Sequence, residues 1–297
     1  MARVQDTFPD WFTAVSPPRV PSQYRDVPQV VPVLSAESAA VVHSLVESSG
    51  QRQDVPVRNS FVRARDDERP PLAALAARGG RGGAVVAIKL YVALLWRCSK
   101  EPFSTQVPSR TWARLLDLPD PSRSGARRVK DALDTLAELR LVTLEANRGA
   151  PSRVTLRRED GSDKAYSIPS EAYRLARSKN AQEAHRYFKV PQSLWTTGHI
   201  QGLGSAGTVM LLIMLEESHE PGSRQWWSVE TFERRFRISK DVRAKGTKEL
   251  VARRLLTVRR MNLPPSPGVS NPFAQDLVRN SYELINEALL PAKPDTP

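Results

Sequence analysis

Apolar positions recur at helical spacing through Ala84–Trp96, where Ile88, Val92 and Leu95 fall on one side. A short β-like run, Thr105–Val107, follows. Next come an aromatic-led stretch, Trp112-Ala-Arg-Leu-Leu116, and a longer one in which Val129, Leu133, Leu136 and the stem of Arg140 share a face. The period then switches from helical to alternating at Arg140-Leu-Val-Thr-Leu144. That switch predicts a strand, with Arg153–Arg157 as its partner. The same succession recurs from Gly204. Gly204–Glu217 carries Val209, Leu212, Ile213 and Leu215, and Trp226–Ser228 is the β-like run. Phe232-Glu-Arg-Arg-Phe236 stands where Trp112–Leu116 stood, Ser239–Arg254 is the long helix, and Arg254-Leu-Leu-Thr-Val258 repeats the switch. Few residues are identical between the copies; the pattern is what repeats.

Punctuation sharpens the elements. Ser109 is placed to cap Arg110–Leu116, and Pro119 and Pro121 mark a turn before the helix Gly125–Leu141. The outer face of that helix carries Arg127, Lys130, Asp131 and Asp134, and Arg123 and Arg128 flank its start. Asn147–Ser152 is a small polar hairpin tip, and Asp160-Gly161 reads as a tight turn into Tyr166–Ile168. In the second copy, Thr257–Met261 and Asp276–Leu284 are strands joined by a Pro-rich tip. Gly246 costs its helix about 1 kcal/mol relative to alanine, which points to close packing against another helix. Helix, short strand, helix, helix and two strands is the order of a winged helix-turn-helix. The expected fold class is therefore mainly α with small β-wings (α+β), as two tandem winged-helix domains behind a Pro-rich, partly disordered N-terminal segment.

Residues 1–83 form that arm. Pro9, Pro17, Pro18, Pro21, Pro28 and Pro32 forbid long helices in its first part. Ser35–Ser48 predicts a short helix, 49–71 returns to polar sequence, and Leu72–Arg78 is a brief helix. Gly79–Gly83 reads as a hinge, because no Lys-Ser/Thr pair follows to make a phosphate loop. Winged-helix domains are expected at 84–168 and 204–290. A connector at 169–203 holds a polar helical stretch (Glu171–Ala184), a strand (Tyr187–Pro191) and a short helix (Ser193–Ile200), and a frayed tail follows at 291–297.

Charge changes the picture more than length does. The 297 residues carry a formal +12, divided as +1 over 1–83, +5 over 84–168 and +6 over 169–297. The excess sits in the repeated units, which favours an anionic partner such as nucleic acid. One cysteine, Cys98, within an apolar helix, builds neither a disulfide framework nor a zinc site and suits a reducing cytosol. The start, Met1–Asp6, lacks the apolar region of a secretory signal, and the longest apolar runs fall short of the roughly 20 residues of a membrane helix. His43, His185, His199 and His219 are scattered, and no nucleophile elbow or nucleotide fingerprint is present. Glu216-Glu217 reads as a solvated helix end, and Glu159–Asp163 as a turn. Expected, then, are no catalysis, no metal, no cofactor, no membrane and a cytoplasmic, nucleoid- or plasmid-associated location.

A helix fits the major groove, where arginine bonds guanine through two hydrogen bonds. Arg127, Arg128 and Arg243 are the candidates for reading bases. Arg110, Arg123, Ser124, Lys130, Arg148, Arg153, Lys240, Lys245, Lys248, Arg259 and Arg260 complete the expected DNA-binding set, chiefly on phosphate. Asp131, Asp134, Asp241 and Glu249 offer these cations local partners at helical spacing. The two reading cores, Ser109–Leu144 and Val229–Val258, give an architecture that resembles the replication initiators of theta-type plasmids, over about residues 84–285. The Arg- and Ala-rich composition, with Tyr187–Pro191 and Ser193–Trp195, looks like that of proteins from high-GC actinobacteria. The resemblance to initiators implies binding to repeated origin sequences, a homodimer through the first domain with Arg127 and Arg128 facing a partner subunit, and base reading by the second. Contact with replication or transcription machinery would fall to the N-terminal arm. The alternatives are a transcriptional regulator on an operator and a winged-helix adaptor that binds protein.

Overall fold

The computed structural model describes residues 19–50, 53–65, 68–78, 82–218, 220, 222–263 and 277–285. The first part of the Pro-rich lead, most of the glycine hinge, the second hairpin tip and the tail therefore lie outside the described residues. In chain order the elements are α1 (Ser22–Arg25), α2 (Ala36–Ser48), β1 (Asp54–Arg58), a 3₁₀ turn at Asn59–Phe61, α3 (Pro71–Ala77), α4 (Gly83–Arg97), β2 (Ser104–Thr105), α5 (Ser109–Leu115), α6 (Ser124–Glu138), β3 (Val142–Glu145) and β4 (Arg153–Leu156). Then come α7 (Pro169–Leu175), α8 (Lys179–Ala184), β5 (Tyr187–Pro191), α9 (Ser193–Thr196), α10 (His199–Gly202), α11 (Ser205–Glu217), β6 (Arg224–Gln225), α12 (Val229–Phe236), α13 (Lys240–Ala252), β7 (Leu256–Leu263) and β8 (Leu277–Leu284). The chain is mixed α+β with three small antiparallel sheets among the described residues, ordered β1-β5, β2-β4-β3 and β6-β8-β7.

The run from α4 to β4 and the run from α11 to β8 share one element order and one strand order. Their first helices are the most deeply buried, and each third helix packs on its own first helix. Close helix contact explains Gly246: a β-carbon there would overlap the Ala206 carbonyl oxygen and come 2.7 Å from the Met210 β-carbon. In the same seam the Glu249 carboxylate accepts the free N–H groups of Gly204 and Gly207 at the start of α11.

The repeated Arg-Leu strings are helix stops. Arg140 and Arg254 adopt left-handed backbone, φ +57° and +55°. Arg140 N–H bonds Ala137 O and Leu141 N–H bonds Leu136 O; Arg254 and Leu255 make the same pair to Val251 and Leu250. This paired closure satisfies orphan carbonyls, and each buried leucine beyond the stop belongs to the core. The chain then enters β3 or β7 directly. The stem of Arg140, expected on the buried face of its helix, is instead exposed in the turn.

Other expectations need correction. Ser109 is the first residue of α5 rather than its cap, which is Pro108. The short strands lie at 104–105 and 224–225, slightly before the runs expected at 105–107 and 226–228, and in the second unit Trp227 is buried in the core beyond its strand. Glu171–Ala184 divides into α7 and α8, and Ser193–Ile200 breaks at Gly198, φ +79°. The polar-looking 49–71 contains β1, paired in register with β5 from Asp54↔Pro191 to Arg58↔Tyr187. The lead from Arg19 onward forms the one-turn helix α1 and then irregular chain to Ser35, and it is fastened to the body. Arg260 N–H bonds Arg19 O (2.6 Å), Val30 N–H bonds Ala252 O (2.7 Å), and the Ser35 hydroxyl bonds Asp117 (2.6 Å). It thereby touches both repeated units before α2 packs on α5 and α9.

Charge also reaches the interior. Arg58 and Glu159 are both fully buried and paired, and Arg58 donates further to the Ser167 carbonyl (2.9 Å) and hydroxyl (2.8 Å). Glu216 and Glu217 are not a solvated end. Glu216 accepts from Asn59 (2.8 Å) and pairs with Arg63, and Glu217 pairs with Arg63 and Arg235. Burial pushes the Glu216 carboxyl up to about 8 against the pull of Arg63. Lys89, in the middle of α4, donates to the Gln201 carbonyl (2.8 Å), and burial lowers its ammonium to about 8. No described helix is long and apolar enough to cross a membrane.

Candidate nucleic-acid interface

Packing decides which cations remain available. On α6, Val129, Ala132, Leu133 and Leu136 turn inward, so the 3.6-residue period turns Arg127, Lys130, Asp131 and Asp134 outward. Arg123 and Ser124 sit exposed where the helix begins. The Ser124 N–H bonds the Asp120 carboxylate (3.2 Å), and the preceding prolines hold that corner. Neither Arg127 nor Lys130 enters an ion pair among the described residues; the charge pairs nearby are Arg78–Glu138 and Arg114–Glu37. Arg128 behaves differently. It is half-buried, and its guanidinium donates to the Gly82 carbonyl (3.4 Å) at the start of α4.

On α13 the exposed face carries Lys240, Asp241, Ala244, Lys245 and Lys248. Ser239 caps the helix by accepting from Val242 N–H, and Asp241 in the first turn suits the helix dipole. Glu249 offers no partner to these lysines, being spent on the α11 amides. Arg243 turns inward. Its guanidinium carbon lies 4.6 Å from the Phe232 ring centroid, 5.1 Å from Tyr282 and 5.6 Å from Trp227. It donates to the Trp227 carbonyl (3.3 Å) and the Tyr282 hydroxyl (3.0 Å). The three rings are buried, and Trp227 meets Phe232 edge to face (5.5 Å between centroids) and Tyr282 at a tilt (5.6 Å). A cation enclosed by three aromatic faces is a structural group of this unit, so Arg243 as a base reader is a misplacement that the cage corrects.

The remaining expected contacts are dispersed. Arg110 is exposed in the first turn of α5, and Arg148 is exposed at the β3–β4 tip. Arg153 lies 3.8 Å from Glu145 across that hairpin. Arg259 and Arg260 are on β7, half-buried and exposed. Sequence reasoning missed Arg19 and Arg25. Both are exposed, and the bridge between Arg19 and Arg260 sets the arm along the outer edge of β7. No local signal marks them, because their position depends on a pairing across some 240 residues.

Elsewhere the chemistry is quiet. No group of three or more His, Cys, Asp or Glu side chains that could hold a metal occurs among the described residues. Burial pushes the Cys98 thiol up to about 12, so it is protonated at neutral pH. A cavity of about 130 Å³ between α2 and α5 is walled by Val41, Leu45, Val107, Trp112 and Leu115, with Arg97 at its edge. Its lining has no acid–base pair. Comparison of the chain with family models, curated proteins and solved structures gave no match.

Proposed function

We propose that the chain binds duplex DNA through two winged helix-turn-helix modules, α4–β4 and α11–β8, and that it serves as a replication initiator on repeated origin sequences. One observation carries this reading. The same six elements, with the same strand order, occur twice, and each third helix turns away from its own core cations that enter no ion pair among the described residues. In such a module the third helix enters the major groove and the hairpin lies along phosphate. Exposed α6 and α13 supply the helices; Arg148 and Arg260 supply cations on the hairpins. The formal +12 adds long-range attraction to a polyanion.

Binding of the full chain to labelled duplexes across a salt series tests the reading. Affinity should fall steeply between about 50 and 200 mM salt, with a log–log slope near −0.9 for each phosphate neutralised. An affinity for duplex that ignores salt, or none, defeats it. Spacing separates the roles: an initiator prefers direct repeats, whereas preference for a single inverted repeat identifies a regulator. Two modules reading one face engage segments a helical turn apart, about 34–36 Å. Adding half a turn between the segments should therefore weaken binding sharply.

A further inference from the structure

We infer that the two modules divide the work: Arg123 and Arg127 at the start of α6 read base edges, and Lys240, Lys245 and Lys248 on α13 hold phosphate without reading sequence. This rests on the duplex-binding reading above and assigns its specificity to one module.

The first argument is chemical. Base discrimination at guanine depends on a fork of donors held in one plane, which arginine has; an ammonium group is a rotating point charge. Of three arginines placed on or beside the third helices to read bases, two are committed elsewhere: Arg128 to the Gly82 carbonyl and Arg243 to its aromatic cage. The exposed face of α13 is left with lysines, Asp241 and Ala244 and no arginine. Arg123 is the residue that precedes α6 and Arg127 lies in its first turn, and both are exposed. They stand at the N-terminal end of α6, the end that reaches base edges when such a helix enters the groove.

The second argument is that α6 is charged against its own stability. Its first turn holds no acid and its last turn no base. Arg123, Arg127 and Lys130 crowd the N-terminal half, while Asp131, Asp134 and Glu138 follow. The helix dipole favours the opposite order. Glu138 pairs with Arg78, but the other five side chains are exposed and enter no ion pair among the described residues, so the packing does not require their order. The arrangement does suit a rod that enters an anionic groove by one end only. By contrast α13 has the stabilising order at its start, a serine cap and Asp241.

In vitro selection with the full chain on a randomised duplex pool, followed by affinity and salt measurements on the selected and a scrambled duplex, tests this. For Arg127→Ala, and for Arg123→Ala with it, the preference for selected over scrambled duplex should fall about 10- to 100-fold. The sequence logo should lose one block, while the salt slope moves by about one unit or less per arginine. For Lys245→Ala with Lys248→Ala, both duplexes should weaken in parallel, the logo should stay intact, and the salt slope should become shallower by about 2. Arg127→Lys should lose preference like the alanine variant while keeping the wild-type slope. An unaltered preference in the arginine variants overturns the inference, as does loss of logo positions in the lysine variant. Wild-type chain that binds no duplex removes the premise instead, a result seen before any variant is made. The substituted positions are exposed, and a thermal melt of each variant that superimposes on the wild type assigns the change to contact.

Discussion

At the scale of single residues, position on a helix surface is decided by neighbours as much as by period. Gly246 shows it. By propensity, Gly246→Ala should stabilise α13 by about 1 kcal/mol. The added methyl group would collide with the Ala206 carbonyl and the Met210 side chain, both fixed in α11. Overpacking of this kind costs about 1–3 kcal/mol. The collision should win, so Gly246→Ala should lower the urea midpoint; a midpoint at or above wild type refutes the close seam between α11 and α13. Arg243 teaches the same lesson from the other side. It lies one turn from Gly246 on a helix rich in exposed lysine, and nothing local distinguishes it from them. Only Trp227, Phe232 and Tyr282, brought from β6–α12 and β8, decide that it points inward.

Elements are where the sequence speaks most plainly, because their signals are local. The switch at Arg140–Leu144 and Arg254–Val258 marks a paired helix stop followed by a strand, and the period change alone placed both within a residue or two. The helices α2, α4, α6, α11 and α13 follow from periodicity and caps for the same reason. What escaped were pieces whose stability is borrowed. β1 is five residues long and pairs with a strand about 130 residues away, and the polar flanks hid its buried face. The arm residues Arg19 and Arg25 escaped likewise. The stops also yield a prediction. A side chain in left-handed backbone costs roughly 1–2 kcal/mol, whereas glycine adopts it freely at some loss of unfolded-chain entropy. Arg140→Gly should therefore stabilise the chain by about 0.5–1 kcal/mol in denaturant titrations. Arg254→Gly should gain less, since Arg254 also donates to Gln29 (3.1 Å). Loss of stability in Arg140→Gly would mean that its side chain, exposed as it is, holds a contact worth more than the backbone strain.

For the whole molecule, the question is what joins two repeated units through one chain. The segment 54–65 is the bracket. Its β1 pairs with β5, Arg58 reaches Glu159 and Ser167 beyond the first hairpin, and Asn59 and Arg63 reach Glu216 and Glu217 at the end of α11. Sliding one unit against the other would expose or unpair several buried charges. Such pairs specify geometry more than they add stability, because desolvation offsets most of their attraction. Burial itself pushes the Glu159 carboxyl upward, and Arg58 opposes that shift. It follows that removing one partner is worse than removing both. Arg58→Met leaves a carboxylate buried with no cation and should cost about 3–5 kcal/mol; Glu159→Leu strands a guanidinium and should cost a similar amount. The double variant should be more stable than either single one, since Met and Leu can fill the vacated volume and no charge remains unpaired. Its residual deficit comes from the Ser167 groups and the Arg58 N–H, which lose their partners. Urea unfolding of the four proteins in a double-mutant cycle measures the coupling. Additive losses would show that the pair does not hold the bracket, and the β1–β5 ladder would then be left to carry it.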